Sequence, residues 1–277
     1  MTHAVPLAPA SEGPSPARSL ASGPVLFARY AYGPNRFGYC GPDDADELLE
    51  AGAAGQDRVL RALAQRFEGA YPYLALIARS AGIADPLDRR VVEAYWLGSE
   101  LLRSVPVSAF GASIDERFRD RVRPTDWRWL ATKPIDGAKP VHAFHVLDVF
   151  PRVGLIRGGQ IDGVLQVMDS CRIRWGRVLD RIGDQLVVSA TRLELHEGRL
   201  RHGPATIERV QAWRDSTGFI DVPEPGDVVS IHWSWACDRL DPRQLANLIA
   251  WTDRQLAIAN QTICPAAAEQ AERPGAP

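Results

Sequence analysis

Two stretches of this 277-residue chain set a thiol and an imidazole among short apolar runs broken by glycine. The first is Cys171-Arg172-Ile173-Arg174-Trp175-Gly176-Arg177-Val178-Leu179, followed by Gly183-Asp184-Gln185-Leu186-Val187-Val188. It reads as a strand, a Gly-Asp turn and a second strand, with Cys171 at the strand entry. The second stretch, Pro225-Gly226-Asp227-Val228-Val229-Ser230-Ile231-His232-Trp233-Ser234-Trp235-Ala236-Cys237, puts His232 near the end of a strand that leads toward a helix. A thiolate is a soft ligand for low-spin iron, and cationic neighbours such as Arg172 and Arg174 lower a thiol's pKa. An imidazole can complete such a site or take the thiol's proton. The plain alternative is a β-barrel closed by a helix, in which Cys171 is a structural thiol and His232 a satisfied core histidine.

Two further groups could carry chemistry. Cys40 lies in the Gly- and Pro-rich run Gly38-Tyr39-Cys40-Gly41-Pro42-Asp43-Asp44, just ahead of a helix whose dipole would activate a thiol. The other reading is a tight loop that packs the aromatics of Phe27–Asn35. In His142-Ala143-Phe144-His145-Val146-Leu147-Asp148 two imidazoles and a carboxylate fall close together. On a strand His142 and His145 would face opposite sides, so a shared metal needs a bend. Cys40, His142, His145 and Asp148 together would suit an iron- or zinc-dependent enzyme with its cleft between two parts of the chain. No phosphate-binding glycine loop, dinucleotide fingerprint or nucleophile elbow is present.

The elements that must hold these residues change character once, near residue 135. Residues 1–23 are rich in Pro, Ser and Ala and read as disordered, as does the tail 265–277. Residues 24–135 read as helical: acidic residues 43–47 open one helix, Val59, Leu60, Leu63 and Phe67 form an apolar stripe, and further helices run over 86–102 and through Ile114, Phe118 and Val122. Residues 136–264 read as β-rich, with runs at 141–149, 153–156, 164–168, 171–179, 185–195 and 227–233. A final amphipathic helix spans 242–261, with Asp241-Pro242 as cap and first-turn proline. The expected class is α+β: a helical N-terminal domain, then a small OB-like β-barrel with a C-terminal helix.

Composition removes other answers. Net charge is −2, from 32 basic and 34 acidic residues, so no cationic excess exists to neutralise a phosphate backbone and nucleic acid is not an expected partner. Four cysteines, Cys40, Cys171, Cys237 and Cys264, stand far apart without a CxxC pair, which argues against a zinc ribbon and a disulfide framework. No apolar run is long enough to span a membrane, and the N-terminus lacks a signal peptide's basic and apolar regions. These features point to a cytoplasmic protein with reduced thiols.

Cys-x-x-x-x-Gly-Arg-Val at the head of a small barrel, then Gly-Asp-x-Val-x-x-His-x-x-Trp-Ala before a helix, resembles the HypC/HupF-type [NiFe]-hydrogenase maturation chaperones. The likeness covers about residues 168–262. It implies an OB-like barrel and a chaperone without catalytic activity of its own. Its partners would be the hydrogenase large-subunit precursor or a maturation scaffold protein. Cys171 would carry an Fe(CN)2CO unit or touch the client, beside His232, with Gly176, Arg177, Gly226 and Asp227 at barrel turns. Three features depart from that pattern. Cys171 stands deep in the chain rather than next to the initiator methionine, Trp175 replaces a proline, and His196–Phe219 is an added stretch. They keep open a metal-free interaction module on the same barrel. The run Phe27–Asp44 also resembles the opening of an uncharacterised actinobacterial family encoded near hydrogenase genes.

Overall fold

The structure, a computed structural model, describes residues 20–152 and 161–271. Helices come first: α1 (Gly23–Asn35), α2 (Ala45–Ala53), α3 (Asp57–Gln65), α4 (Tyr71–Ser80), α5 (Arg89–Leu97), α6 (Val107–Phe118), α7 (Pro124–Thr132), α8 (His142–Phe144) and α9 (Ile161–Cys171). The chain continues from α8 as a π-helical segment over His145–Val149. Then follow β1 (Arg174–Ile182), β2 (Gln185–His196), β3 (Arg199–Gln211), the short pair β4 (Trp213–Arg214) and β5 (Thr217–Gly218), β6 (Val228–His232), β7 (Trp235–Arg239) and α10 (Pro242–Ala271). The fold class is α+β, a helical N-terminal part followed by a sheet and a C-terminal helix.

Five strands close in the order β1-β2-β3-β7-β6. β2 and β3 form a long antiparallel hairpin, β1 pairs antiparallel with both β2 and β6, and β6 turns into β7. The last seam is thin, a single parallel bridge between Gln211 and Trp235. Gly176 faces the barrel interior, where an added Cβ would lie 3.0 Å from Ile231. The turn before β6 is stitched to β1: Gly226 N–H donates to the Val178 carbonyl, Val178 N–H to the Asp227 carbonyl, and Arg177 Nη1 to the Gly226 carbonyl. The Asp227 carboxylate accepts from the Glu224 N–H and from Arg239.

α1 joins the helical part to the barrel. Twelve of its thirteen residues are buried, so no polar stripe marks it as amphipathic. It packs on α2, α3 and α5 on one side and on β6 and β7 on the other. One continuous apolar core therefore runs through both parts of the chain. Phe27–Asn35, read from sequence as a loop, is helix; Ser22 caps its start and Pro34 stands at its end. α10 is fastened at its N-terminus by a reciprocal cap, Gln244 N–H to the Asp241 carboxylate and Asp241 N–H to the Gln244 side chain. Glu93 of α5 then accepts from both Arg243 and Gln244.

Two expected strands are helical. Of the run 141–149, residues 142–149 form α8 and its π-helical extension, and 164–168 lie within α9. Short apolar runs without a polar face have no period by which to tell helix from strand. The expected strand at 153–156 lies outside the described residues, as does the stretch 1–19. α10 continues to Ala271, past the expected start of a disordered tail at 265. Among the described residues no helix is long and apolar enough to cross a membrane.

Candidate metal centre

Cys171 is the last residue of α9, not the first of a strand. A helix end leaves its final carbonyls unpaired, and here two distant groups satisfy them. Trp233 N–H donates to the Ser170 carbonyl at 2.8 Å, and His142 Nε2 lies 2.9 Å from the Cys171 carbonyl. Trp233 belongs to the two-residue turn between β6 and β7, where both Trp233 (φ 50°) and Ser234 (φ 58°) adopt the left-handed conformation. Such a turn follows the right-handed twist of a hairpin, although glycine and asparagine usually occupy it. Its strain is offset by docking: Trp233 packs its ring on Tyr39 at 4.0 Å, and its carbonyl accepts from Arg36.

The result is a cluster from three elements. His142 opens α8, Cys171 ends α9 and His232 ends β6. One ligand atom from each lies within 4.8 Å of the other two. Cys171 Sγ is 3.9 Å from His142 Nε2, and the two imidazole rings lie 5.1 Å apart. Trp96 of α5 walls both rings, at 4.7 Å from His142 and 5.8 Å from His232. His142 and His232 are buried and Cys171 partly so.

Protonation follows from these surroundings. Burial pulls the His142 pKa down to about 4, opposed by the Cys171 carbonyl. His232 falls well below the ordinary histidine value, through burial and then through His142. Both rings are thus neutral at neutral pH, the form that ligates metals. His232 Nδ1 donates to the Tyr30 carbonyl at 2.6 Å, which leaves the lone pair on Nε2. That Nε2 is buried without a hydrogen bond of ordinary geometry, and the Cys171 carbonyl acts on the ring beside it. An orphaned imidazole nitrogen beside a thiol is a cost in a structural core and an asset at a metal site. Burial also pushes the Cys171 thiol up to about 12, with Cys40 adding to the shift and the Trp233 side chain opposing it.

The expected activation of Cys171 by Arg172 and Arg174 is therefore reversed. Both guanidiniums are turned to carboxylates: Arg172 to Asp169, and Arg174 to Glu208. Desolvation decides the thiol's proton, and a bound cation is what would displace it. Two imidazoles and one thiolate suit zinc, iron or copper better than hard cations, with an open position for water or a further ligand.

The other candidates fall in two places. Cys40 and His145 line one open-sided cavity of about 590 Å³, with Tyr39, Gly41, Arg66 and Gly69 among its walls. Burial raises the Cys40 thiol to about 11, so the helix dipole invoked from sequence does not activate it. Asp148 is fully buried, its carboxylate facing Lys133 at 3.5 Å and Arg152 at 3.5 Å. Two tyrosines link the histidines: Tyr73 Oη is 3.2 Å from His145 Nδ1, Tyr95 Oη is 3.3 Å from His142 Nδ1, and their rings stack at 5.7 Å. Sequence reasoning separated His142 from Cys171 and His232 because it placed His142 on a strand. The only available cue was its short spacing to His145.

Residues 19–266 match a family of unknown function, DUF6390. No curated protein and no solved structure matches the chain.

Proposed function

The chain belongs to the DUF6390 family, and for this member we propose a role as an accessory factor in [NiFe]-hydrogenase assembly that holds iron as cargo on Cys171, His142 and His232. The observation that carries the reading is the buried, unpaired Nε2 of His232 within 4.8 Å of the Cys171 thiol and the His142 ring. Cyanide and carbon monoxide, as strong-field ligands, impose the low-spin state on iron, and a thiolate is a soft donor suited to that centre. The resemblance of residues 168–262 to the HypC/HupF-type chaperones supplies the biological setting. It suggests the large-subunit precursor or a maturation scaffold protein as partner, in the cytoplasm, where thiols stay reduced.

Each chain residue has a part that needs no further group. Cys171 gives up its proton as the cation arrives. His142 exchanges tautomers: Nε2 releases its hold on the Cys171 carbonyl, and Nδ1–H then donates to the Tyr95 hydroxyl oxygen. His232 needs no rearrangement, because Tyr30 already fixes its tautomer. Trp96 packs against both imidazole rings, and the Trp233 side chain lies beside the Cys171 thiol.

The test is metal analysis of protein purified anaerobically, beside hydrogenase activity and precursor processing in cells. The wild type is expected to carry iron, with CN and CO infrared bands when expressed with the maturation machinery. Cys171→Ala is expected to lose both iron and maturation while remaining folded by circular dichroism. Maturation that proceeds normally with Cys171→Ala rejects the role; iron that stays bound in that variant rejects the site.

A further inference from the structure

We infer that Cys40 and His145 form an outer soft-donor station, at the cavity surface, through which the cation reaches Cys171, His142 and His232. The inference rests on the metal reading of the inner cluster. The cavity of about 590 Å³ is lined by both residues, which come from different elements. Cys40 is presented by a built loop. Asn35 Nδ2 donates to the Cys40 carbonyl at 2.7 Å and also to that of Pro42. Gly41 (φ +80°) fits only as glycine, since an added Cβ would sit 2.3 Å from the Phe67 ring. Gly69 stands beside the thiol, where an added Cβ would lie in van der Waals contact with Cys40 Sγ at 3.9 Å, so a glycine rather than a bulky side chain faces it.

His145 complements it. With Nδ1–H donated to the Tyr73 oxygen, its Nε2 keeps a lone pair, and the ring is neutral because burial lowers its pKa to about 3. Each outer donor lies within electrostatic reach of an inner one, Cys40 of Cys171 and His145 of His142. The stacked Tyr73 and Tyr95 rings join the two stations, Tyr73 hydrogen-bonded to His145 and Tyr95 to His142. The ligand class is a soft or borderline divalent cation. Passage is ligand exchange: Cys40 loses a proton to water as its metal–sulfur bond forms and regains one as Cys171 takes the metal and gives up its own. No electron moves.

Stopped-flow uptake of Co²⁺ under anaerobic conditions tests this, read by thiolate-to-cobalt absorption. Cys40→Ser and His145→Ala are each expected to slow the rise of the final band roughly tenfold, the low end of what a supporting group contributes at metal sites, with the final absorbance kept. Cys171→Ser should leave only a fast outer band, which the double variant with Cys40→Ser abolishes. Wild-type rates in both outer variants overturn the outer station and leave the inner site standing. An unchanged final band in Cys171→Ser overturns the inner site, and a wild type that takes up no Co²⁺ overturns both.

Discussion

His232 Nδ1 donates to the main-chain carbonyl of Tyr30 at 2.6 Å, across 202 residues of sequence. A carbonyl only accepts, so this bond fixes the proton on Nδ1 and the lone pair on Nε2. The same helix sets the position of the strand end that carries His232. At Gly33, one turn beyond Tyr30, an added Cβ would fall 2.4 Å from the His232 carbonyl oxygen. A metal-ligating histidine is commonly oriented in this way, with its other ring nitrogen bonded to a carbonyl. α1 therefore acts on the candidate centre without contributing a ligand.

Gly33→Ala should lower Co²⁺ affinity by about 10–100-fold, because the β6 end must move and carry His232 with it. Gly111→Ala is the matched control. Its added Cβ meets nothing within 4 Å, so affinity should stay at the wild-type value and the helix should gain about 0.5–1 kcal/mol. Competition titration against a chelator reads both. Wild-type affinity in Gly33→Ala would remove His232 from the ligand set.

Metal affinity should rise about tenfold per pH unit between pH 5 and 8, a slope of one proton. The Cys171 thiol, pushed up to about 12, is protonated throughout that window and releases one proton on binding. His142, at about 4, and His232, well below the usual value, are already neutral and add no slope. A slope near two or three would mean that the histidines bind protons in the metal-free protein. A slope of zero would exclude the thiol.

Legibility in the sequence follows the locality of the signal. The stripe Leu60, Leu63, Phe67 and the hairpin turn at Gly183 repeat within a few residues and are readable without the fold. α9 is not, because its apolar run 164–168 is too short to show a period; α1 and α8 are not, since helices covered on most sides lose the polar face that gives one. That loss separated His142 from the centre, although Cys171 and His232 stand out in their own motifs. The Cys171 proton is illegible for a second reason. Arg172 and Arg174 sit beside it in sequence, but their carboxylates come from Asp169 and from Glu208, 34 residues beyond Arg174. Nearness along the chain implied an activated thiol; the folded chain desolvates it instead.

Acid should destabilise the protein steeply below about pH 6. His142 (about 4), His145 (about 3) and His232 all have folded pKa values below the ordinary 6.5, so the unfolded chain binds more protons. The sign follows: stability is full above 6.5 and is lost as pH falls from 6.5 toward the folded values. At pH 5 His142 and His145 each contribute about 2 kcal/mol to that loss, and His232 acts in the same direction. Urea denaturation at pH 7.5 and pH 5 should show it, and His145→Phe should flatten the dependence. An unchanged midpoint at pH 5 would mean that these rings are protonated in the folded state.

Asp169 should be the most sensitive carboxylate around the centre. Its Oδ1 accepts from Arg172 Nε at 3.1 Å and from the Leu193 N–H at 2.7 Å, which ties the end of α9 to β2. Arg174 and Arg192 approach its other oxygen at 4.0 Å and 3.7 Å. The Arg172 side chain is only 1% exposed, so Asp169→Ala strands a buried cation and should cost about 3–5 kcal/mol. Arg192 is 54% exposed, and Arg192→Ala should cost under about 1 kcal/mol. Asp169→Asn separates charge from geometry. It keeps an acceptor for Leu193 but removes the counter-charge, so its stability should fall between the other two. Since Asp169 stands two residues before Cys171, metal affinity should follow the same order if α9 positions the thiol. Affinity unchanged in Asp169→Ala, in protein still folded at the assay temperature, would mean that His142 and Trp233 alone hold the helix end in place.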